Sequence, residues 1–253
     1  MFSVTLIPRI MRNYGLRKGR ELMETWLLRP AAQYPNYSSP VEGFVTMDWV
    51  LGFERARAAY DQMIKDKLWD TPAARVEIAN WLKRAHFLEE FPGTQTFGDL
   101  SQPVRVLDFH QINYRPVSGY QFIDDLAAAL GAFTFYLVVA GSVSFSNVDP
   151  QAPWQQRRLG HDVTIDEVGI YVRDSYDFEG DQFLGWWAYP DDSGRFPNGY
   201  VSAMPFDGGE LVTNEDFKKF RRRTGKGGDF LIFSDLKRVS VNYTFNTWDL
   251  LAV

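Results

Sequence analysis

The chain has 253 residues, 45% of them hydrophobic and 23% charged, with 20 Gly and 13 Pro, a composition that excludes the disordered and fibrous classes. It contains no cysteine, which excludes structural disulfides, thiolate zinc sites, iron–sulfur clusters and a cysteine nucleophile. A formal charge of -5, from 27 basic and 32 acidic residues, argues against nucleic acid as a partner, since nucleic-acid-binding domains are normally basic.

The N-terminal stretch, Met1 to Ile10, is apolar only in part, broken by Pro8 and followed by Arg12. A secretory signal runs in the reverse order, so the expectation is a cytoplasmic chain, exported if at all by a route that needs no such signal. No transmembrane helix is expected, because no run of about eighteen apolar residues is free of charges and breakers. Aromatic residues reach 16%, with 20 Phe, 12 Tyr and 8 Trp, which predicts a large aromatic core.

In chain order, the first ninety residues read as helices. Pro8 opens the first, and Ile10, Met11, Tyr14, Leu22, Met23, Trp26 and Leu27 recur at three- and four-residue spacings, with Gly15 and Gly19 as points of division. Pro30 and the run from Gln33 to Pro40 predict a loop. Asp48 is the expected N-cap of a second helix striped by Val50, Leu51, Phe53, Ala56, Tyr60, Met63 and Ile64. Thr71-Pro72 is the cap and first turn of a third. From about residue 100 the pattern changes. The segments 104–114, 133–145, 163–175 and 230–245 are rich in Val, Ile, Phe and Tyr and bounded by Gly, Pro, Asn and Asp, which predicts strands. The segment 133–139 is apolar on both faces and is placed centrally, a short helix is expected within 118–131, and another over 214–223 stops at Gly225. The fold class is therefore α+β: one domain, 1–253, with N-terminal helices (1–92) packed on a mainly antiparallel, aromatic-rich sheet (93–253).

Asp108 and His110, two apart on an expected strand, would share a face, where a carboxylate can orient an imidazole for general base work. The commoner use of such a pair is a buried hydrogen bond that fixes a sheet edge, so the two are weak catalytic candidates and no catalytic residue is assigned. His86, His110 and His161 stand in no metal-binding spacing, and neither a metal nor a cofactor is expected. Asp174, Asp177, Glu179 and Asp181 resemble a calcium loop superficially but lack its spacing, and read as a solvated acidic turn. Lys218, Lys219, Arg221, Arg222, Arg223 and Lys226 form one concentrated basic patch. Cations belong at a helix C-terminus, and as a functional surface they would dock an acidic partner. Trp186 and Trp187 are consecutive, so in a strand they point to opposite faces and one needs a cover other than the core. A helix, a second layer or a dimer mate would provide it, and with Tyr189 the two form a candidate binding surface for a protein partner.

Segments spread along nearly the whole chain carry a resemblance: Ile7-Pro-Arg-Ile-Met-Arg12 with Leu22-Met-Glu-Thr-Trp26, Met47-Asp-Trp-Val50 with Ala56 to Asp61, Asp108-Phe-His-Gln-Ile112, Glu167-Val-Gly-Ile-Tyr-Val-Arg-Asp-Ser-Tyr-Asp-Phe178 with Gln182-Phe-Leu-Gly185, and Gly227-Gly-Asp-Phe-Leu-Ile-Phe-Ser-Asp235. Together they resemble an uncharacterised family of proteobacterial proteins, a domain of unknown function often met near type VI secretion and polymorphic-toxin genes. The resemblance implies one intact domain and brings no active site. It implies a non-enzymatic binding protein, of immunity or accessory type, that holds a cognate toxin or secretion component. The alternative is an antibacterial effector, either a hydrolase built on Asp108 and His110 or a membrane-active protein using its aromatics.

Overall fold

The structure is a computed structural model that describes residues 3–32, 39–89, 93–117, 123–147, 159–180, 183–190 and 195–250. Helix α1 (Ile7–Asn13) carries Pro8 in its first turn, where a missing N–H costs nothing. Gly15, at φ 70, separates it from α2 (Arg17–Leu28). Gly19 lies inside α2, so only the first of the two glycines divides the segment. A short strand, β1 (Val41–Glu42), precedes α3 (Met47–Val50), α4 (Glu54–Lys65) and α5 (Pro72–Arg84). Asp48 is not the cap expected of it. The Thr46 hydroxyl accepts from the Trp49 N–H at 3.3 Å, and Asp48 falls in the first turn, where its charge still suits the helix dipole. Thr71 caps α5 as its sequence implies, accepting from the Ala74 N–H at 3.2 Å.

After β2 (Thr94–Phe97), the segment expected as a strand over 104–114 is mostly helical: α6 (Val104–Leu107) runs into a 3-10 turn, Asp108–His110, and strand β3 (Asn113–Val117) begins only afterwards. Val104 and Val106 imitate strand alternation, but Pro103, at φ -54, stands at the N-cap and starts a helical turn instead. Helix α7 (Asp125–Leu130) is capped by the Asp124 carboxylate, which accepts from the Ala127 N–H at 2.8 Å. The remaining elements are β4 (Phe133–Asn147), β5 (Leu159–Tyr176), β6 (Phe183–Ala188), β7 (Tyr200–Ser202), β8 (Glu210–Thr213), α8 (Asn214–Thr224), β9 (Phe230–Phe233) and β10 (Lys237–Asn246). The run 230–245 is thus two strands, not one. Ser234 interrupts it by accepting the Val172 N–H on its hydroxyl at 2.8 Å. Of the other expectations, 33–38, 118–122 and Asp181 lie outside the described residues.

The chain divides into two compact units, each assembled from three stretches of sequence. The first comprises Met1–Phe53, Pro116–Phe133 and Arg173–Phe233, and the second Glu54–Arg115, Thr134–Val172 and Ser234–Val253. In the second, β10 pairs antiparallel with β5, β4 lies between β5 and β2, and β3 also pairs with β4. Helices cover this sheet through ring contacts, Tyr60 of α4 on Phe135 at 6.3 Å and Trp81 of α5 on Phe97 at 5.5 Å. Gly141 of β4 lies so close to the Thr164 carbonyl that a Cβ would collide with it.

In the first unit, β6 is the middle strand of an antiparallel three-stranded sheet with β7 and β8. The end of β5 pairs with β9, and β9 with β1, the last pair parallel. The core centres on the fully buried Trp26, which meets Phe178 at 4.7 Å and Phe217 at 5.3 Å, both edge-on. Helix α2 has no cap of its own. Asp125 of α7 supplies one, its two carboxylate oxygens accepting from the Lys18 and Gly19 N–H groups at 3.1 and 2.9 Å. The fold is α+β with mainly antiparallel pairing, as its sequence predicts.

Candidate functional site

A cavity of about 300 Å³ lies within the first unit. One wall is the end of β5, where Asp174 pairs opposite Ile232 and Tyr176 opposite Phe230, and strand alternation turns Asp174 and Tyr176 to the same face. Tyr176 stacks at 5.2 Å on Phe230, its cross-strand partner on the same face of the sheet. The chain then turns through Asp177, Phe178 and Glu179 to Gly180, at φ 73, with the Glu179 N–H donating to the Asp177 carboxylate at 3.3 Å. Facing these groups are Ile7 and Met11 of α1, Met23 of α2, Leu130 of α7 and Trp187 of β6. The Trp187 indole N–H is engaged with the Leu184 carbonyl at 2.9 Å.

Burial pushes the Asp174 carboxyl well above the ordinary carboxylate value, against a backbone hydrogen bond from Ser175 and with the Asp177 charge adding to the rise. Asp177 is raised as well, first by burial, although the Glu179 N–H and Arg221 pull it down. The Tyr176 hydroxyl is raised by burial and then by Asp174. Burial thus disfavours the charged form of both carboxyls, and a neighbouring cation would favour it.

The cation that acts on Asp177, Arg221, is already committed. Arg221 of α8 donates through Nε to the Gly227 carbonyl at 2.7 Å, through Nη1 to Glu179 at 3.0 Å and through Nη2 to Asp229. Asp229 accepts the Trp26 indole N–H at 2.8 Å on the same oxygen, and its other oxygen has no hydrogen-bond partner among the described residues. Burial raises its carboxyl too, opposed by Trp26 and Arg221. Helix α8 holds Arg221 in place through a capping box at its start, Thr213 with Asp216, and Gly225 at φ 66 at its end.

The residues singled out from sequence are distributed differently. Asp108 is buried and accepts from the Tyr171 hydroxyl at 2.5 Å, while His110 is exposed and its ring lies 4.9 Å from Trp81. Both sit in one 3-10 turn, where residues two apart diverge by about 240°, so the shared strand face expected of them does not exist. His161 reaches the Glu89 carbonyl and His86 the Glu89 carboxylate. No group of three or more His, Cys, Asp or Glu is arranged to hold a metal among the described residues, nor is any helix there long and apolar enough to cross a membrane. In the basic patch, Arg221 is buried and structural. Lys218 donates to the Gly180 carbonyl, Lys219 pairs with Asp216 and Arg222 with Glu215, and Arg223 is exposed.

Trp186 and Trp187 do point to opposite faces. Trp187 is buried and lines the cavity; Trp186 is half-buried and shares the outer face of the small sheet with Ser202 and Leu211, its cross-strand partners. Tyr189 receives the Ser3 N–H on its hydroxyl at 2.6 Å. The outer face continues as an aromatic cluster absent from the sequence reading. Tyr200 meets Phe206 at 4.8 Å, Phe196 at 5.6 Å and Tyr14 at 6.2 Å. Met204, 71% exposed, and Leu211, 46% exposed, extend it.

The acidic turn was visible in sequence but read as solvated. Its position in a cavity depends on helices α1, α2 and α7, which no local pattern connects to residue 174. No curated protein and no solved structure matches this chain. The family of unknown function DUF6402 matches residues 2–191 and 200–247, nearly the whole length, and to that family the chain belongs.

Proposed function

We propose that the protein is a non-enzymatic binding protein of a type VI secretion or toxin locus, an immunity or accessory protein that acts in the cytoplasm by holding a cognate toxin or secretion component. The observation that carries this reading is the outer aromatic face of the β6, β7 and β8 sheet. Tyr14, Tyr200, Phe196 and Phe206 form a connected ring cluster beside exposed Met204 and Leu211. Aromatic and Met side chains at a surface are the residues enriched in protein interfaces, and a few of them carry most of the binding energy. Arg195, paired with Asp207 at 2.9 Å and 5.2 Å from the Phe196 ring, gives the patch a polar rim.

The test is co-expression with the toxin encoded beside it. Tyr200→Ala and Trp186→Ala, each checked for an intact fold, are expected to weaken complex formation at least tenfold and to abolish rescue of a poisoned host. Unchanged rescue in both removes this face from the reading. Self-association through the same face would appear as a change of mass in sedimentation that Tyr200→Ala reverses. A second reading, that of an antibacterial effector, retains one observation, the two acids Asp174 and Asp177 lining one cavity. Expression of the protein alone, sent in turn to cytosol and periplasm, separates the two: toxicity favours the effector.

A further inference from the structure

The cavity of about 300 Å³ in the first unit opens partly to solvent and lies at the lower end of the range of small-ligand pockets. Its ionisable groups lie on one side. Asp174, Ser175, Tyr176 and Asp177 form one wall, Ile7, Met11, Met23, Leu130 and Trp187 contribute to the rest, and no Lys, Arg or His lines it among the described residues. A purely hydrophobic ligand would leave the two carboxyl groups buried against hydrocarbon, at a desolvation cost. An anion would meet like charge or a carboxylic proton. A cation with an apolar body satisfies both walls.

We propose that this cavity is a binding site for a small organic amine, its ammonium group held between the Asp174 and Asp177 carboxylates and its apolar body lodged against Met11, Leu130 and Trp187. Arg221 cannot serve as an internal substitute for that ammonium, because its three donor nitrogens are directed to Gly227, Glu179 and Asp229. The upward shift of Asp174 through burial fits this, since a neighbouring cation favours the ionised carboxylate. The site is independent of the outer aromatic face, since Trp187 looks inward while Trp186 looks outward.

The experiment uses the full chain and a panel of primary monoamines of increasing bulk, butylamine, phenethylamine and tryptamine, each paired with its neutral alcohol and its carboxylate analogue. Melting temperature and calorimetric titration are the readouts, with the change in tryptophan fluorescence that Trp187→Phe removes as a local reporter. At least one amine is expected to bind saturably and at least tenfold more tightly than its alcohol, with the carboxylate weakest. Asp174→Asn and Asp177→Asn, singly and together, are expected to remove the preference for amine over alcohol while near-ultraviolet circular dichroism stays native. Absence of saturable binding by every amine overturns the proposal, as does an alcohol that binds as tightly as its amine. An amine preference that survives the double substitution overturns it equally.

Discussion

Two acids of the first unit meet their surroundings in opposite ways, Asp229 buried and Asp174 half-buried. Asp229 meets a guanidinium and an indole N–H on one oxygen, with its side chain entirely covered. Asp174 faces a cavity, with a backbone hydrogen bond from its neighbour and a second acid, Asp177, beside it. Burial raises both carboxyls, but Asp229 has a guanidinium and an indole N–H built against it, whereas among the described residues no Lys, Arg or His lines the cavity that Asp174 faces. In the second unit Asp108 belongs with the first kind, through its 2.5 Å bond from Tyr171.

The largest effect is expected from removing the built-in partner. Arg221→Ala leaves Asp229 and Glu179 without their cation in a site where the arginine side chain is only 7% exposed. Breaking a buried pair from one side costs about 3 to 5 kcal/mol, because the remaining charge is uncompensated. Urea unfolding at neutral pH measures it, and the deficit should shrink on acidification as the abandoned carboxylates take up protons. A loss no larger than that of a surface substitution would place Asp229 with Asp174 and end the contrast. Tyr171→Phe is expected to cost about 1 to 3 kcal/mol, the range for leaving a buried acceptor short of its donor. Its ring contact with Tyr136, at 5.8 Å, survives the change, so the loss measures the hydroxyl.

Which acid belongs to which kind was only partly legible beforehand. Helices α1, α2, α5 and α8 follow from local signals, namely Pro8, Thr71-Pro72, Gly225 and apolar positions three and four apart. Strands β4 and β5 follow from β-branched and aromatic runs. Asp108 and His110 were misplaced because Val104 and Val106 alternate as a strand does while Pro103, one residue earlier, starts a helical turn. The turn carrying Asp174 and Asp177 keeps part of the exposure its sequence implies, with Ser175 and Gly180 exposed. What the sequence leaves out is tertiary: Ile7, Met23 and Leu130 come from three separate helices, and their convergence on residue 174 has no period and no spacing. Arg221 was hidden among five neighbouring cations. The helical phase of Phe217 and Phe220, both buried beside it, is the one local signal that could have set it apart.

The contrast is sharpened by pH. The Asp174 carboxyl is raised in the folded chain relative to the unfolded one, so between the ordinary carboxylate value and the raised one the folded state binds more protons. Stability is then fully present below the ordinary value and falls as pH climbs through that window. Asp174→Asn should leave stability unchanged in acid and increase it progressively toward neutrality, flattening the profile. A residual slope of the same sign is expected from Asp177 and Asp229, both raised by burial. Thermal unfolding across the pH range decides it: an Asn variant that parallels the parent at every pH would mean that Asp174 already has its partner.

The smallest effect belongs to the residue next to Arg221. Arg222 also makes a close ion pair, 2.6 Å to Glu215, but both side chains stand largely in water, 62% and 47% exposed. Arg222 holds the Glu215 carboxyl below its usual value, so the pair contributes above the ordinary carboxylate range and is lost as pH falls. Water and salt screen that contribution, and ordering two long side chains opposes it. Arg222→Ala should therefore leave the urea midpoint within experimental error at physiological salt, with any loss confined to low ionic strength. The two substitutions differ by one position on the same helix. If Arg222→Ala cost as much as Arg221→Ala, the effect of both would be loss of charge at the C-terminus of α8, and burial would not be what distinguishes Asp229.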